Sequence, residues 1–245
     1  MKIFIFGIVL SLNAFAVPDN NWIMRQIWSN LSFTHYEVNE TELRKIVPKQ
    51  LKIDKHQDRA FVGIVTLEMS TGNINSIPIP LYSPFPQINV RTYVTCNGKR
   101  GIYFFNIDAD HTIATTFASM LFSLPYYKAN ISWEKNKDRY YFFSDAKDRY
   151  FEISFKPKKE TIPDDAASLE IWLTDIYQSY QIDKKNKVQE SKLWHSPFVV
   201  QKLDAKIIKD DAFEVLNLQP IDGPSFHYVE KTETFFWKNK EVKCN

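Results

Sequence analysis

β-Branched and aromatic residues alternate with polar residues in many short stretches of the chain, which is the pattern of half-buried strands. These stretches cover residues 60–69, 88–96, 101–107, 126–134, 139–143, 150–155, 188–193, 199–208 and 226–229. Asn97-Gly98 between the second and third stretches predicts a hairpin turn. Because the stretches at 126–134, 139–143 and 150–155 are separated by short connections, we expect these three to form an antiparallel meander.

Three segments have a helical pattern instead. Residues 39–47 form a capped run that stops at Pro48, and residues 112–122 follow Asp110, which can act as a helix cap. Residues 166–180 carry apolar side chains at three- and four-residue steps. These side chains are Leu169, Trp172, Leu173, Ile176, Tyr177 and Tyr180. Since no repeat or linker interrupts the chain, the pattern predicts one α+β domain dominated by a large antiparallel sheet.

The first sixteen residues differ from the rest. Lys2 is followed by an apolar run over residues 3–10 and then by Ala14-Phe15-Ala16. This order is typical of a secretory signal peptide, so we expect cleavage after Ala16, export to the periplasm or the medium, and a single mature domain over residues 17–245. The apolar run is too short to cross a bilayer, and no transmembrane segment is expected elsewhere.

Two cysteines, Cys96 and Cys244, are present. In an oxidising compartment they could form a disulfide that holds the C-terminal end in place. Alternatively both remain free, with Cys96 serving as a small buried apolar residue. The sequence leaves both arrangements open.

Composition excludes several classes of function. The chain has 31 basic and 29 acidic residues, a net charge of +2, so it lacks the field that nucleic-acid binding requires. Two cysteines and five scattered histidines predict no metal site. There is no phosphate-binding glycine loop and no Rossmann fingerprint, so no cofactor is expected. A small molecule is the remaining partner that the sequence suggests, and nothing in it indicates an oligomeric state.

The strand at residues 89–94 carries the first candidate chemistry. Alternation places Asn89, Arg91 and Tyr93 on one face. The guanidinium fork of arginine can bind both oxygens of a carboxylate, so these three residues could line a ligand pocket. The alternative is a solvated sheet face or a structural ion pair.

A second candidate is the segment Tyr126-Tyr127-Lys128, in which Tyr126 and Lys128 share a strand face. A desolvated lysine has a lowered pKa and can attack a carbonyl group to form a Schiff base. The alternative is a lysine that points to water. His195, at the end of a predicted strand, is a third candidate, with either a ligand-binding or a structural role.

The order of these motifs resembles a known family. The motifs are WSNLSFTHY at residues 28–36, AFVGIVTLEM at 60–69, FPQINVRTYV at 85–94, GIYFFNIDAD at 101–110, LFSLPYYKA at 121–129, SLEIWLTDIYQSY at 168–180 and WHSPF at 194–198. The series resembles the YqjF-like family, a domain of unknown function in the acetoacetate-decarboxylase-like superfamily. The resemblance implies an antiparallel β-barrel with helices packed outside and a buried ligand cavity.

The chain departs from the decarboxylases at the reactive position. In those enzymes the Schiff-base lysine directly follows the proline of a Gly-Tyr-Pro-Lys-Lys segment. Aligning that proline with Pro125 places Tyr126 at the nucleophile position, and Lys128 comes two residues later. Gln87 stands where the family usually has glutamate. Residues at which the family usually has arginine are here Ser119, Ala146 and Ile176.

Two functions of different classes follow. The first is an exported binding protein whose cavity holds a small carboxylated molecule between Asn89, Arg91, Tyr93, Tyr126, Tyr127 and His195. The second is an enzyme that uses Lys128 as a Schiff-base nucleophile on a keto acid. The exposure of Lys128 distinguishes them, because a nucleophilic lysine needs a desolvated environment.

Overall fold

A computed structural model describes residues 17, 19–74, 77–78, 84–111 and 123–244. In these ranges the strands are β1 (Met24–Val38), β2 (Lys52–Ile53), β3 (Ala60–Ile74), β4 (Ile77–Pro78), β5 (Phe85–Cys96), β6 (Lys99–Ala109), β7 (Tyr126–Lys128), β8 (Asn130–Asn136), β9 (Arg139–Asp145), β10 (Tyr150–Thr161), β11 (Gln178–Ile182), β12 (Val188–His195), β13 (Gln201–Asp210), β14 (Pro220–Phe236) and β15 (Lys240–Val242). The helices are α1 (Glu40–Ile46), α2 (Leu169–Thr174) and α3 (Ala212–Leu216). None of these helices is long and apolar enough to cross a membrane.

All of these strands belong to one sheet, in which most pairings are antiparallel. The long strand β1 pairs with β3 on one side and with β14 on the other. From β3 the hydrogen-bonded path continues through β5, β6, β11 and β12, and β12 then pairs with β14. The path therefore returns to β1 and surrounds a common interior. Strands β8, β9, β10 and β13 extend the sheet beyond β14.

The predicted hairpin between the strands at 88–96 and 101–107 is confirmed. β5 and β6 pair along nearly their whole length around Asn97 and Gly98. Both turn residues have positive φ, 52° and 74°, which an Asn-Gly pair adopts readily. The short capped helix is also confirmed: α1 is capped by the side chain of Asn39, which accepts hydrogen bonds from two backbone amides.

The prediction of one helix over residues 166–180 is wrong beyond Thr174. Helix α2 ends there, and residues 178–182 form β11, which lies between β6 and β12. A helix over this segment would leave the facing edges of β6 and β12 without partners, so sheet pairing outweighs the helical spacing. The side chains Leu173 and Tyr180 are nevertheless fully buried. The helix predicted at 112–122 lies outside the described residues.

The two faces of β5 have different environments. Ile88, Val90 and Val94 belong to a large apolar core that includes residues of the β8–β10 region. Asn89 and Arg91 lie on the opposite face, which is directed to the interior surrounded by the strands. The predicted alternation is therefore present, and it places the candidate polar residues inside the fold.

Cys96 and Cys244 form a disulfide in the structure. The bond joins the end of β5 to the segment that follows β15, across a sequence separation of 148 residues. Of the two arrangements that the sequence left open, the structure has the paired one.

Close packing at Gly101 gives a prediction. A Cβ atom at this position would lie 2.6 and 2.8 Å from two ring carbons of Tyr180. Because Tyr180 is fully buried, its ring cannot move aside freely. We expect Gly101→Ala to lower the free energy of unfolding by about 1–3 kcal/mol, the usual cost of overpacking. Urea denaturation measures this change, and a loss below about 0.5 kcal/mol would show that the ring can shift.

Candidate functional site

An internal cavity of about 80 Å³ lies between the strands that surround the interior. Most of its described lining is apolar: Met24, Trp28, Leu31, Phe33, Val65, Leu67, Met69, Ile102, Phe104, Ile107, Leu124, Ile176, Leu193, Phe198 and Phe236. The polar lining residues are Gln26, Gln87, Asn89, Arg91, Tyr126, Thr174, Ser179, Ser191 and His195. Since one enclosed water needs roughly 10–15 Å³, the cavity has room for a small organic molecule.

The charge in this lining is one-sided. Arg91 is the permanently charged side chain among the described lining residues, and these include neither a carboxylate nor a lysine. A ligand that enters this space therefore meets one fixed positive charge on a wall that is otherwise uncharged. Such a wall attracts anionic groups and disfavours cationic ones.

Arg91 is buried, with 8% of its surface exposed. Its Nε and Nη2 atoms have no hydrogen-bond partner among the described residues, and no ion pair is formed there. The guanidinium carbon lies 5.5 Å from the centre of the Phe33 ring, a cation–π contact that offsets part of the desolvation cost. Nearby on the same strand face, the Oδ1 atom of Asn89 is also buried without a partner.

Tyr93, the next residue on this face, does not line the cavity. Its hydroxyl donates a hydrogen bond to the carbonyl of Leu173 at 2.8 Å and lies 2.7 Å from Nε2 of His35. Because the hydroxyl proton is already used, His35 must donate from Nε2. Burial raises the pKa of Tyr93, and the same burial, with His227 and Arg91 nearby, holds the pKa of His35 well below its usual value. Both residues are therefore neutral and tie α2 to the strands.

This arrangement gives a second prediction. Tyr93→Phe removes the hydroxyl and leaves the buried Nε2–H of His35 and the Leu173 carbonyl without their shared partner. We expect the free energy of unfolding to fall by about 1–3 kcal/mol. The matched control is Tyr141→Phe, because Tyr141 is exposed and the same change there should stay within about 0.5 kcal/mol. Equal effects at the two positions, measured by urea denaturation, would refute the bridging role.

His195 lines the cavity but is held by the backbone. Its Nδ1 lies 2.8 Å from the carbonyl oxygen of Ser196 and its Nε2 lies 3.3 Å from that of Ile176. The ring also stacks on Phe198 at 3.9 Å and on Tyr177 at 4.7 Å. Burial lowers the pKa of His195, while the carbonyl hydrogen bonds oppose that shift. Because both ring nitrogens face backbone carbonyl groups, we assign the ring a structural role as part of the cavity wall.

Tyr126 and Lys128, predicted to share a strand face, have different environments in the structure. Tyr126 lines the cavity, and its hydroxyl donates to Oε1 of Gln87 at 3.1 Å. Lys128 is exposed and lies opposite Ala109, two pairs beyond the cavity-lining Ile107. Of the two environments that the sequence left open for Lys128, the structure has the solvent-facing one, because this residue lies beyond the described lining of the cavity.

Tyr127 is likewise outside the cavity. Its ring is 48% exposed and lies under the guanidinium of Arg149, 4.8 Å from the ring centre. Arg149 in turn forms an ion pair with the buried Asp108. Of the predicted site residues, the structure thus brings Asn89, Arg91, Tyr126 and His195 to one cavity, with Tyr93 directly behind it. Tyr127 and Lys128 do not take part.

Sequence reasoning missed the contribution of β1. Phe33 lines the cavity beside Arg91, and His35 continues the same face to Tyr93. The alternation of Leu31, Phe33 and His35 is visible in the sequence and could have indicated this face.

Comparisons with known proteins agree with this architecture. The pattern that defines the DUF2071 family, described as an uncharacterized conserved protein, matches residues 25–233. The "Uncharacterized protein YqjF" of Bacillus subtilis (strain 168) is 34% identical over 227 residues, which are 91% of this chain and 93% of that protein.

Solved structures extend the likeness to the fold. The enduracididine biosynthesis enzyme MppR complexed with pyruvate has a TM-score of 0.64 at 12% identity, covering 94% of this chain and 93% of that one. An acetoacetate decarboxylase from Legionella pneumophila also has a TM-score of 0.64, at 11% identity, covering 95% and 94%. The chain therefore belongs to the DUF2071 family, together with YqjF, and has the fold of acetoacetate decarboxylase-like proteins.

Proposed function

We propose that the protein binds a small organic carboxylate in its internal cavity, with Arg91 holding the carboxylate group. The observation that carries this proposal is the guanidinium itself. Nε and Nη2 are buried at the wall of a cavity whose described lining contains no carboxylate to pair with them. A buried cation without a counter-charge is costly, and an anionic ligand removes that cost.

The rest of the cavity fits the same class of ligand. Arginine binds carboxylates in a bidentate manner, which fixes the orientation of the bound group. The apolar walls then enclose the remainder of the molecule, as is usual in small-molecule sites. In this proposal the cavity is the interior of a β-barrel that the β12–β14 pairing closes. MppR, which shares the fold, supports the proposal because it is complexed with pyruvate, a small carboxylate.

The alternative, a Schiff-base enzyme, has less support. Lys128 is exposed, and the described lining of the cavity contains no other lysine. An exposed lysine lacks the desolvated or cation-flanked environment that activates a lysine nucleophile. We therefore expect borohydride reduction in the presence of pyruvate to leave Lys128 unmodified, which peptide mass spectrometry can check. An adduct on Lys128 would instead support the Schiff-base enzyme.

Binding is tested by measuring the thermal stability of the wild-type protein with a series of related small molecules. Hexanoate should stabilise the protein, by about 2.7 kcal/mol at one hundred times its Kd. Hexanamide has nearly the same shape without the charge, and hexylamine has the opposite charge, so neither should stabilise it. Equal stabilisation by hexanoate and hexanamide would show that Arg91 does not select the anion, and no stabilisation by hexanoate or pyruvate would contradict the proposed function.

We also propose that the protein is exported. The charged, apolar and small-residue order of residues 1–16 supports this, and so does the Cys96–Cys244 disulfide, because such bonds persist in oxidising compartments. Mass spectrometry of the periplasmic or secreted fraction should find an N-terminus at Val17. Recovery of the chain with Met1 intact and only in the cytoplasm would contradict export.

A further inference from the structure

We infer that the ligand is a hydroxy acid, whose hydroxyl donates a hydrogen bond to Asn89 while its carboxylate is held by Arg91. This inference deepens the proposed function and rests on it. It starts from the second unpaired polar atom in the cavity wall. Asn89 is 4% exposed, and its Oδ1 has no hydrogen-bond partner in the described part of the chain.

Asn89 and Arg91 can reach the same ligand. They are two residues apart on β5 and point to the same face, which places their Cα atoms about 6–7 Å apart. Both line the cavity. One side chain offers donors and the other offers an acceptor, so the complementary molecule carries an acceptor group and, a few atoms away, a donor group.

Among the described lining residues, the Asn89 Oδ1 is the buried acceptor without a hydrogen-bond partner, and most of the other polar side chains have partners within the protein. Gln87 accepts from Tyr126, Gln26 accepts from Trp28, Thr174 donates to the Glu170 carbonyl, Ser191 donates to Asn239, and His195 lies at two backbone carbonyls. A buried acceptor without a donor is costly. A hydrogen-bond donor on the ligand therefore stabilises the complex most when it binds the unpaired Oδ1 of Asn89.

The donor is a hydroxyl group and not an ammonium group. An ammonium at Asn89 would be a second positive charge in the same cavity as Arg91. The described lining has no carboxylate to neutralise it, and burying an unpaired charge is far more costly than burying a hydroxyl. Amino acids are thereby disfavoured, while acids with a hydroxyl near the carboxylate satisfy both side chains.

Calorimetric titration with matched acids tests the inference. The probes are 2- and 3-hydroxyhexanoate, hexanoate and 3-aminohexanoate. At least one hydroxyhexanoate should bind about tenfold more tightly than hexanoate, because it satisfies Asn89. The amino acid should bind most weakly. In Asn89→Leu, which keeps the approximate shape without the acceptor, the ratio between the hydroxy acid and hexanoate should fall to about one. Asn136→Leu makes the same change at an exposed position and should keep the wild-type ratio.

The possible failures are separate. If hexanoate binds as tightly as both hydroxy acids, or if Asn89→Leu keeps the preference, the hydroxy-acid inference is wrong and carboxylate binding by Arg91 stands. If 3-aminohexanoate binds most tightly, the charge argument is wrong. If none of the four acids binds, the proposed function fails together with the inference.

Discussion

Replacing Arg91 by methionine should make the ligand-free protein more stable. Arg91 is a buried cation with two unpaired nitrogen atoms, and the Phe33 ring compensates only part of its desolvation. Methionine keeps the apolar stem and removes the charge. Where buried ionic groups are replaced by well-packed hydrophobic residues, the gain is often about 1–4 kcal/mol. We expect a gain in this range for Arg91→Met in urea denaturation without ligand.

Two further variants make this result specific. Arg91→Lys keeps a buried charge and should give no gain in stability. Arg139→Met makes the same substitution at a surface residue that pairs with Asp204, and it should change stability by less than about 1 kcal/mol. A clear loss of stability in Arg91→Met would mean that the guanidinium has a structural partner in the native protein, and the ligand argument would lose its basis.

Breaking the disulfide should have the largest effect on stability. The Cys96–Cys244 bond closes a loop across a separation of 148 residues, and long loops restrict the unfolded chain most. We expect Cys244→Ser to lower the free energy of unfolding by about 2–5 kcal/mol. Cys96→Ala should have a similar effect. Alanine is used at this position because Cys96 is buried, where the hydroxyl group of a serine would be costly.

The wild-type protein supplies the control for this prediction. In a thiol reductant it should lose the same free energy of unfolding as Cys244→Ser, and the reductant should leave the variant unchanged. A loss below about 0.5 kcal/mol in both variants would indicate that the C-terminal segment is held by its other contacts, such as the pairing of β15 with β12.

The sequence predicted β5 well because one physical pattern dominates there. Ile88, Val90 and Val94 pack into a core, while Asn89 and Arg91 face the cavity, so alternation alone identifies both faces. The Asn-Gly turn then fixes how β5 pairs with β6. Strand, turn and candidate ligand residues could therefore be found without coordinates.

Other parts of the site depend on long-range pairing that local patterns do not contain. β1 has a register irregularity between Ser29 and Ser32, with Asn30 at φ 53°. The interior face therefore changes from Gln26 and Trp28 to Leu31 and later odd-numbered residues, which strict alternation cannot anticipate.

The predictions for the segment after α2 and for the segment at β7 were incomplete for a related reason. Residues 178–180 continue the helical spacing that starts at residue 166, but they belong to β11, which lies between β6 and β12 in the sheet. The position of Lys128 depends on where β7 meets the end of β6, a contact between distant parts of the chain. Both outcomes follow from tertiary pairing, which outweighs local preference.

Titration of hexanoate into the wild-type protein and into Arg91→Met by calorimetry tests the central claim, that Arg91 holds a carboxylate in the cavity, most directly. Loss of one partner of a buried charged contact costs about 2–5 kcal/mol, so the affinity of Arg91→Met should be at least about 30-fold weaker. Arg139→Met should bind like the wild type. Binding by Arg91→Met with an affinity within about threefold of the wild type would contradict the claim.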